Sequence, residues 1–219
     1  MKDATWTTNL AENRDRWFPD AKRADAVSCY RLENASHTWQ RQPVAIHIGA
    51  GPSLDRSFND LRKLNLSLQH TPHGKRQAIL FATDGALKPL LAEGIKPHFV
   101  VMLDEHEVTE SFFSGIRAGN MTLLASATAF HEAILAWEKA NAKAPNAIYF
   151  WANGNRRTEL ERLMFLGAMK RDSDGWMTID QLAEAGLPDF APFPFIRGIT
   201  NSVAMMGVAM AQRMGIRSH

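Results

Sequence analysis

The sequence predicts an α/β protein with a Rossmann-like, three-layer fold and a mostly parallel sheet of about five or six strands. Short apolar runs alternate with segments of helical periodicity, which is the pattern of right-handed βαβ units. A polar cluster follows each of the five apolar runs. Because open parallel sheets bind ligands at the carboxyl ends of their strands, a site is expected along that edge.

The first strand and the turn after it carry the clearest ligand signal. An apolar run, Val44–Ile48, is followed by Gly-Ala-Gly-Pro-Ser and by a helical pattern that begins at Leu54. The two glycines are expected to permit positive φ and close approach of a ligand, and the proline suits the first helical position. Free N–H groups and the positive end of the helix dipole meet at such a turn, which favours a phosphate. The residues predicted to bind it are Gly49, Gly51, Pro52 and Ser53.

A strand-to-helix turn without a ligand is the alternative interpretation of this stretch. The dinucleotide motif requires a third glycine where Leu54 stands. No Gly-Lys-Ser/Thr follows, as it would in a phosphate-binding P-loop. Both interpretations stay open from the sequence.

Further strands and helices are expected along the chain. The strands are predicted at 77–82, 98–103, 121–126 and 147–151, and helices at 86–93, 108–118, 129–142 and 202–214. Polar residues after the second and fifth strands and before the last helix are expected to face the same nucleotide. They are Thr83, Asp84, Asn153, Thr200, Asn201 and Ser202. For Asp84 the competing role is that of a plain helix cap.

Asp104, which follows the third apolar run, is the predicted catalytic residue. It should emerge at the carboxyl edge beside the glycine turn, where a carboxylate can bind a phosphate-bridging metal or act as a base toward a hydroxyl. Glu105 and Glu107 add negative charge that a phosphate would resist without a cation. Mg²⁺ is therefore the expected cofactor, with Asp104 and Glu107 as its ligands. A solvated loop acid or a helix cap is the alternative role of Asp104.

Composition and charge narrow the class of protein. The chain has 219 residues, of which 45% are hydrophobic and 22% charged, so it can bury a core. Its net charge of +2 and its scattered basic residues do not indicate a nucleic-acid partner. It has no run long enough to cross a membrane, no secretory leader and one cysteine, and we expect a cytoplasmic location.

Two regions are predicted from the same pattern. Residues 1–40 form an N-terminal helical extension, and residues 41–219 form the Rossmann-type domain. The chain stops just after its last predicted helix, where a further strand would be natural. We therefore expect that the domain is truncated at its C-terminus.

Several pieces of the sequence match a known family in order. They lie at 49–54, at 82–90, at 94–101 with Asp104, and at 198–203, so the likeness spans about 44–215. The chain resembles the family named after the MptE-type 6-hydroxymethylpterin diphosphokinases, which includes the Maf motility accessory factors, glycosyltransferase-like proteins that act on flagellin. The family's pterin enzymes carry clustered aspartates after the third strand, where this chain reads Asp-Glu-His-Glu. The run at 94–99 looks more like the Maf branch.

The resemblance implies a nucleotide-dependent transferase. The first hypothesis is a glycosyltransferase that uses a CMP-linked nonulosonate-type sugar and a protein or glycan acceptor, because the Gly-Pro-Ser-Leu turn also looks like one in CMP-sugar sialyltransferases. The alternative is a 6-hydroxymethyl-7,8-dihydropterin pyrophosphokinase that uses ATP and Mg²⁺. A third possibility, from another class, is a nucleotide-binding module without catalysis.

Overall fold

The computed structural model describes residues 8–9, 12–13, 16, 42–117, 119–126, 128–140, 148–153, 195–196 and 202–218. Five strands form the body of one sheet: β1 (Val44–Ile48), β2 (Ala78–Thr83), β3 (Phe99–Met102), β4 (Thr122–Ser126) and β5 (Ile148–Asn153). Two-residue strands flank them, β6 (Phe195–Ile196) beside β5 and β7 (Arg217–Ser218) beside β1. Every pairing between neighbouring strands is parallel, which confirms the predicted α/β fold.

The helices of the described chain connect these strands. They are α1 (Leu54–Gln69), α2 (Asp84–Ala92), α3 (Glu110–Phe113), α4 (His131–Ala140) and α5 (Val203–Arg213), with single 3₁₀ turns at His73–Lys75 and Glu107–Thr109. Since β1 to β5 lie side by side in chain order, right-handed connections place α1 to α4 on one face of the sheet. The last helix, α5, covers the other face, so the sheet is the middle of three layers.

The core lies on both faces of the sheet, as expected for parallel strands that are covered on both sides. On one face, residues of α1 to α4 pack on alternate residues of β1 to β5. On the other face, Met206, Met210 and Met214 of α5 are buried against residues such as Phe81 and Val101. The prediction that the methionines of the last helix fill the core is confirmed for these three residues.

Three local predictions are wrong. The helix predicted at 108–118 is only the 3₁₀ turn and α3, because the backbone becomes extended at Ser114 and Gly115 adopts φ +74°. Pro52 is not at the first helical position, since α1 begins at Leu54 with Ser53 in the cap position. Neither Gly49 nor Gly51 has positive φ. The glycines with positive φ among the described residues are Gly94, Gly115, Gly119 and Gly215.

The N-terminal extension is described in part. Residues 8–9, 12–13 and 16 are helical, while the helical extension over residues 1–40 and its boundary near residue 40 stay predictions. After the last helix, the two-residue strand β7 pairs with β1, with Arg217 opposite Val44. The predicted truncation of the domain stays a prediction. In the part of the chain that the structure describes, no helix is long and apolar enough to span a bilayer.

Gly207 allows α5 to lie close to the sheet. A β-carbon at this position would lie 3.2 Å from Nδ1 of His47 and 3.5 Å from Cγ2 of Val101. The first distance is shorter than ordinary van der Waals contact, and Val101 is buried, so the neighbouring side chains would have to shift by a few tenths of an ångström. The absence of a side chain at Gly207 therefore favours the close packing of α5 on β1 and β3.

We predict that Gly207→Val lowers the free energy of unfolding by about 1–3 kcal/mol, because the added methyl groups overpack this contact. Urea unfolding followed by circular dichroism measures the change. Gln212→Val is the matched control, since Gln212 is an exposed residue of the same helix. Equal stability of the two variants would contradict the close-packing account of Gly207.

Candidate functional site

The glycine turn lies next to the start of α2 at the carboxyl edge of the sheet. Residues 49–53 are all exposed, and the N–H of Leu54 donates to the carbonyl of Gly51 at 3.0 Å. A β-carbon on Gly85 would lie 3.4 Å from Cβ of Ala50, so the turn and α2 are in contact there. A β-carbon on Gly49 would meet nothing within 4 Å. The turn therefore presents open backbone to solvent, with space for a ligand above it.

Asp84, the first residue of α2, is a buried carboxylate at this edge. Its side chain is 7% exposed, and its Oδ1 accepts the N–H of Gly85 at 2.8 Å. Burial raises the pKa of Asp84 to about 6; the charge of Asp104 adds to the rise, and the Gly85 hydrogen bond opposes it. Thr83 occupies the cap position without a side-chain cap bond, and Asp84 follows it as the first helical residue. Asp84 is thus more than a solvated helix cap.

Asp104 follows β3 and stands close enough to Asp84 to repel its charge. Its side chain is 43% exposed. Oδ1 of Asp104 accepts the N–H of His106 at 3.2 Å, and its carbonyl accepts the N–H of Phe130 at 3.1 Å. The backbone at Asp104 is therefore held while the carboxylate faces the open edge.

A small cleft lies between the sheet and the first turns of α5, and Thr83, the residue before Asp84, is among its lining residues. It is a shallow depression of about 160 Å³ including open solvent, and its enclosed part has room for about one water molecule. His47 lies at this cleft, where burial lowers its pKa and its ring packs 5.2 Å from the ring of Phe81. An uncharged imidazole therefore faces the cleft at neutral pH. The other residues around it are Ile48, Ala82, Thr83, Val101, Val203, Ala204 and Gly207.

The remaining predicted nucleotide-binding residues are spread along the edge. Ser202 is exposed and occupies the cap position of α5, next to Val203 and Ala204 at the cleft. Asn153 is the last residue of β5, and two strands separate β5 from β2, the strand that Asp84 follows. Thr200 and Asn201 lie outside the described residues.

The structure adds two asparagines that the sequence did not single out. Asn9 and Asn13 are buried and donate hydrogen bonds to the loops after β3 and β4. Their spacing of four residues would put them on one helix face, and this is the only sequence signal of their role. Ser126 and Thr128, in the predicted polar cluster after β4, bond to each other at 3.0 Å and are buried.

The carboxylate pair has the donor set that a hard cation uses with a phosphate. Mg²⁺ is commonly held by one or two carboxylates, several waters and phosphate oxygens. Asp84 and Asp104 supply two carboxylates, and their mutual repulsion would be relieved by a positive ion. Within the described ranges, no three His, Cys, Asp or Glu side chains gather as a self-sufficient metal site. Glu107 is exposed in the 3₁₀ turn that follows, and its role as a ligand stays a prediction.

The fold and this edge define a Rossmann-like α/β protein with a carboxylate-bearing candidate site at the strand ends. The profile of the family described as 6-hydroxymethylpterin diphosphokinase MptE-like matches residues 21–167, more than half of the chain. The chain therefore belongs to the MptE-like family. Among curated proteins and solved structures, no significant match was found.

We predict that Asp84→Asn stabilises the protein at neutral pH. The folded-state pKa of Asp84 is raised from 3.8 to about 6, so ionised Asp84 costs folding free energy. This cost is absent well below the unfolded pKa, grows as the pH rises between the two values, and reaches about 3 kcal/mol above the folded pKa. The stability gain of the variant should therefore increase by about 2 kcal/mol from pH 4 to pH 7.

Urea unfolding at a series of pH values, with a chelator present, measures this gain. Asp60→Asn is the matched control, because the side chain of Asp60 is 89% exposed. A gain from Asp84→Asn that does not change with pH, like that of the control, would contradict a raised pKa for Asp84.

Proposed function

We propose that this chain is a divalent-cation-dependent transferase that takes a pyrophosphoryl group from a nucleoside triphosphate. Its family is named after a diphosphokinase. The observation that carries the proposal is the pairing of buried Asp84 with Asp104 at the carboxyl edge. In the sequence, Asp104 is the one aspartate after the third strand, but the fold brings a second aspartate to it from the neighbouring strand.

In the proposed reaction, an acceptor hydroxyl oxygen attacks the β-phosphorus of the donor. A bond forms between that oxygen and the β-phosphorus, the bond from the β-phosphorus to the oxygen of the α-phosphate breaks, and a nucleoside monophosphate leaves. The hydroxyl proton passes to solvent. When bound, Mg²⁺ would neutralise phosphate charge, and Asp84 and Asp104 would hold it.

The glycine turn is the proposed cradle for the phosphates. Its backbone is exposed and lies against the start of α2, beside Asp84. The N-terminus of α1 adds the positive end of the helix dipole, which attracts anions, although the N–H groups of Leu54 and Arg56 already donate to carbonyls of the turn. Ser202 lies at the start of α5, and we propose that the rest of the donor or acceptor binds along this open edge, because the cleft near His47 has room for about one water molecule.

The run at 94–99, which favoured the glycosyltransferase hypothesis, gives less support to it once its place in the fold is known. This run precedes β3 and so lies at the amino edge, opposite the candidate site. Gly94 turns the chain with φ +70°, Ile95 is fully buried, and Nδ1 of His98 accepts the N–H of Leu80 at 3.0 Å. These roles belong to the scaffold and are compatible with any substrate.

A glycosyltransferase that uses a CMP-linked nonulosonate-type sugar is the second candidate. The observation in its favour is that the Gly-Pro-Ser part of the Gly-Pro-Ser-Leu turn lies exposed at the candidate site, whereas its Leu54 is buried. A phosphate of CMP would use the same turn, without the need for a second phosphate or a cation between the carboxylates. A nucleotide-binding module without catalysis is the third candidate, and a cytoplasmic location stays a prediction.

Isothermal titration calorimetry with ATP, GTP and CMP, each with and without Mg²⁺, separates these candidates. We expect ATP or GTP to bind only with Mg²⁺. The turnover test supplies 6-hydroxymethyl-7,8-dihydropterin as the acceptor and follows nucleoside monophosphate by ³¹P NMR. Binding of CMP alone, without a cation requirement, would favour the glycosyltransferase. If ATP binds with Mg²⁺ but no nucleoside monophosphate forms, 6-hydroxymethyl-7,8-dihydropterin is excluded as the acceptor.

We predict that Gly51→Val abolishes nucleotide binding and leaves the fold intact. A β-carbon at Gly51 would meet only Oγ of Ser53, at 4.0 Å, so the free protein accommodates it. The two added methyl groups would occupy the space where a phosphate must approach the backbone. Calorimetry gives the affinity, and the urea midpoint confirms the fold. Wild-type nucleotide affinity in Gly51→Val would contradict the assignment of the glycine turn as the phosphate site.

We predict that Asp104→Asn weakens Mg²⁺-dependent nucleotide binding by about tenfold or more, because one carboxylate is lost from the pair. Affinity is titrated against Mg²⁺ in the variant and in two comparison variants. Asp60→Asn should change nothing, and Glu107→Gln tests whether that exposed carboxylate also contributes. An unchanged Mg²⁺ dependence in Asp104→Asn would rule out Asp104 as a cation ligand.

A further inference from the structure

The N-terminal helical segment lies across the loops that follow β3 and β4. Asn9 is 3% exposed and Asn13 is 1% exposed, although both have polar side chains. More than ninety residues separate them in sequence from the groups they bind. A buried polar side chain is costly unless it is hydrogen-bonded, so these bonds account for the position of the segment.

Asn9 joins the two loops directly. Its Nδ2 donates to the carbonyl of Glu105 at 3.1 Å and to the carbonyl of Thr128 at 3.5 Å. The first acceptor is the residue immediately after Asp104. The side-chain amide of Asn9 therefore links the backbone next to Asp104 to the loop that follows the neighbouring strand β4.

Two further contacts hold the same helix face in place. Nδ2 of Asn13 donates to the carbonyl of Ala129 at 2.9 Å, and Oδ1 of Asn13 lies 2.8 Å from Nδ1 of His131. Arg16 forms an ion pair with Glu138 of α4 at 2.8 Å. Positions 9, 13 and 16 recur at helical spacing, so a single helix face makes all of these contacts.

Between these anchors, the backbone at Asp104 is bonded on both sides. The carbonyl of Asp104 accepts the N–H of Phe130, and the carbonyl of Glu105 accepts the side chain of Asn9. Without Asn9 the second bond is lost, and the restraints that remain on this stretch include strand β3, the Phe130 bond and the local bonds of His106. The segment that supplies Asn9 lies before residue 21, where the family match begins.

We infer that the N-terminal helical segment is a clamp on the acidic loop at residues 104–107. Asn9 is the positioning residue that holds this loop so that the Asp104 carboxylate lies beside Asp84. The clamp itself is a property of the fold, whereas its effect on ligand binding rests on the proposed function. The N-terminal helical segment then contributes to the site, although about ninety residues separate it in sequence from Asp104.

Hydrogen–deuterium exchange resolved by NMR tests the clamp in Asn9→Ala. The probes are the amides of Phe130 and His106, which bond to the carbonyl and the carboxylate of Asp104. We expect both to exchange about tenfold faster or more, because local opening becomes easier. Arg16→Ala removes the exposed ion pair with Glu138 and keeps Asn9, so we expect a smaller effect in the same direction.

Asn65→Ala is the matched control. Asn65 is 4% exposed and also bonds two backbone groups, the carbonyl of Gly94 and the N–H of Lys96, but at the amino edge of the sheet. It should speed exchange at Lys96 and leave Phe130 and His106 unchanged. Equal exchange at Phe130 and His106 in the Asn9 and Asn65 variants would overturn the clamp.

Binding of ATP with Mg²⁺ tests the positioning role in the same variants. We expect the affinity to fall about tenfold in Asn9→Ala, since small displacements of a ligand group are costly, and to change less than twofold in Asn65→Ala. Faster loop exchange with unchanged affinity would overturn the positioning role. If the wild-type protein does not bind ATP, the proposed function fails, and the exchange data still decide whether the clamp exists.

Discussion

The burial of Asp84 beside the charge of Asp104 is the constraint on which the candidate site depends. Burial removes water that would otherwise solvate Asp84 and is the largest cause of its raised pKa, and the charge of the partly exposed Asp104 raises that pKa further. A carboxylate in that position costs about 3 kcal/mol of folding free energy at neutral pH, which is a large share of the stability of a typical domain. A cation together with a phosphate would convert this cost into binding free energy.

The rest of the fold keeps the two carboxylates in place. Parallel strands β2 and β3 are neighbours, so residues that follow them emerge side by side at the same edge. Core side chains on both faces of the sheet hold these strands, and Gly207 lets α5 cover the second face closely. The bonds of Asn9 and Phe130 then restrain the loop at Asp104, which has the more exposed of the two carboxylates.

The sequence predicted the parts of the structure that depend on local patterns. Strands buried on both faces appear as continuous apolar runs, so β1 to β5 and the carboxyl edge were found, and with them the positions of Asp84 and Asp104. The helix expected after β3 was wrong, because apolar periodicity continued past Gly115, where the backbone turns with positive φ. The turn at Gly49 and Gly51 was located correctly, but its backbone does not need the conformational freedom of glycine.

The pKa shift of Asp84 and the hydrogen bonds that hold the loops of the site could not be predicted from the sequence. The raised pKa of Asp84 depends on burial and on a neighbour twenty residues away, and neither leaves a periodic signal. The bonds of Asn9 and Asn13 to the edge loops span about one hundred residues, so they are visible only in the folded chain. The run at 94–99 resembled the Maf branch in sequence, but the structure places it at the amino edge, where its residues support the fold.

A ¹³C NMR titration of the Asp84 carboxyl group tests the central claim most directly. The account predicts that Asp84 titrates near pH 6 in the free protein, at a lower pH in Asp104→Asn, and far lower when Mg²⁺ and a nucleoside triphosphate are bound. Titration near pH 4 in the free protein, unchanged by the Asp104 substitution and by the ligands, would contradict a coupled carboxylate pair and the site built on it.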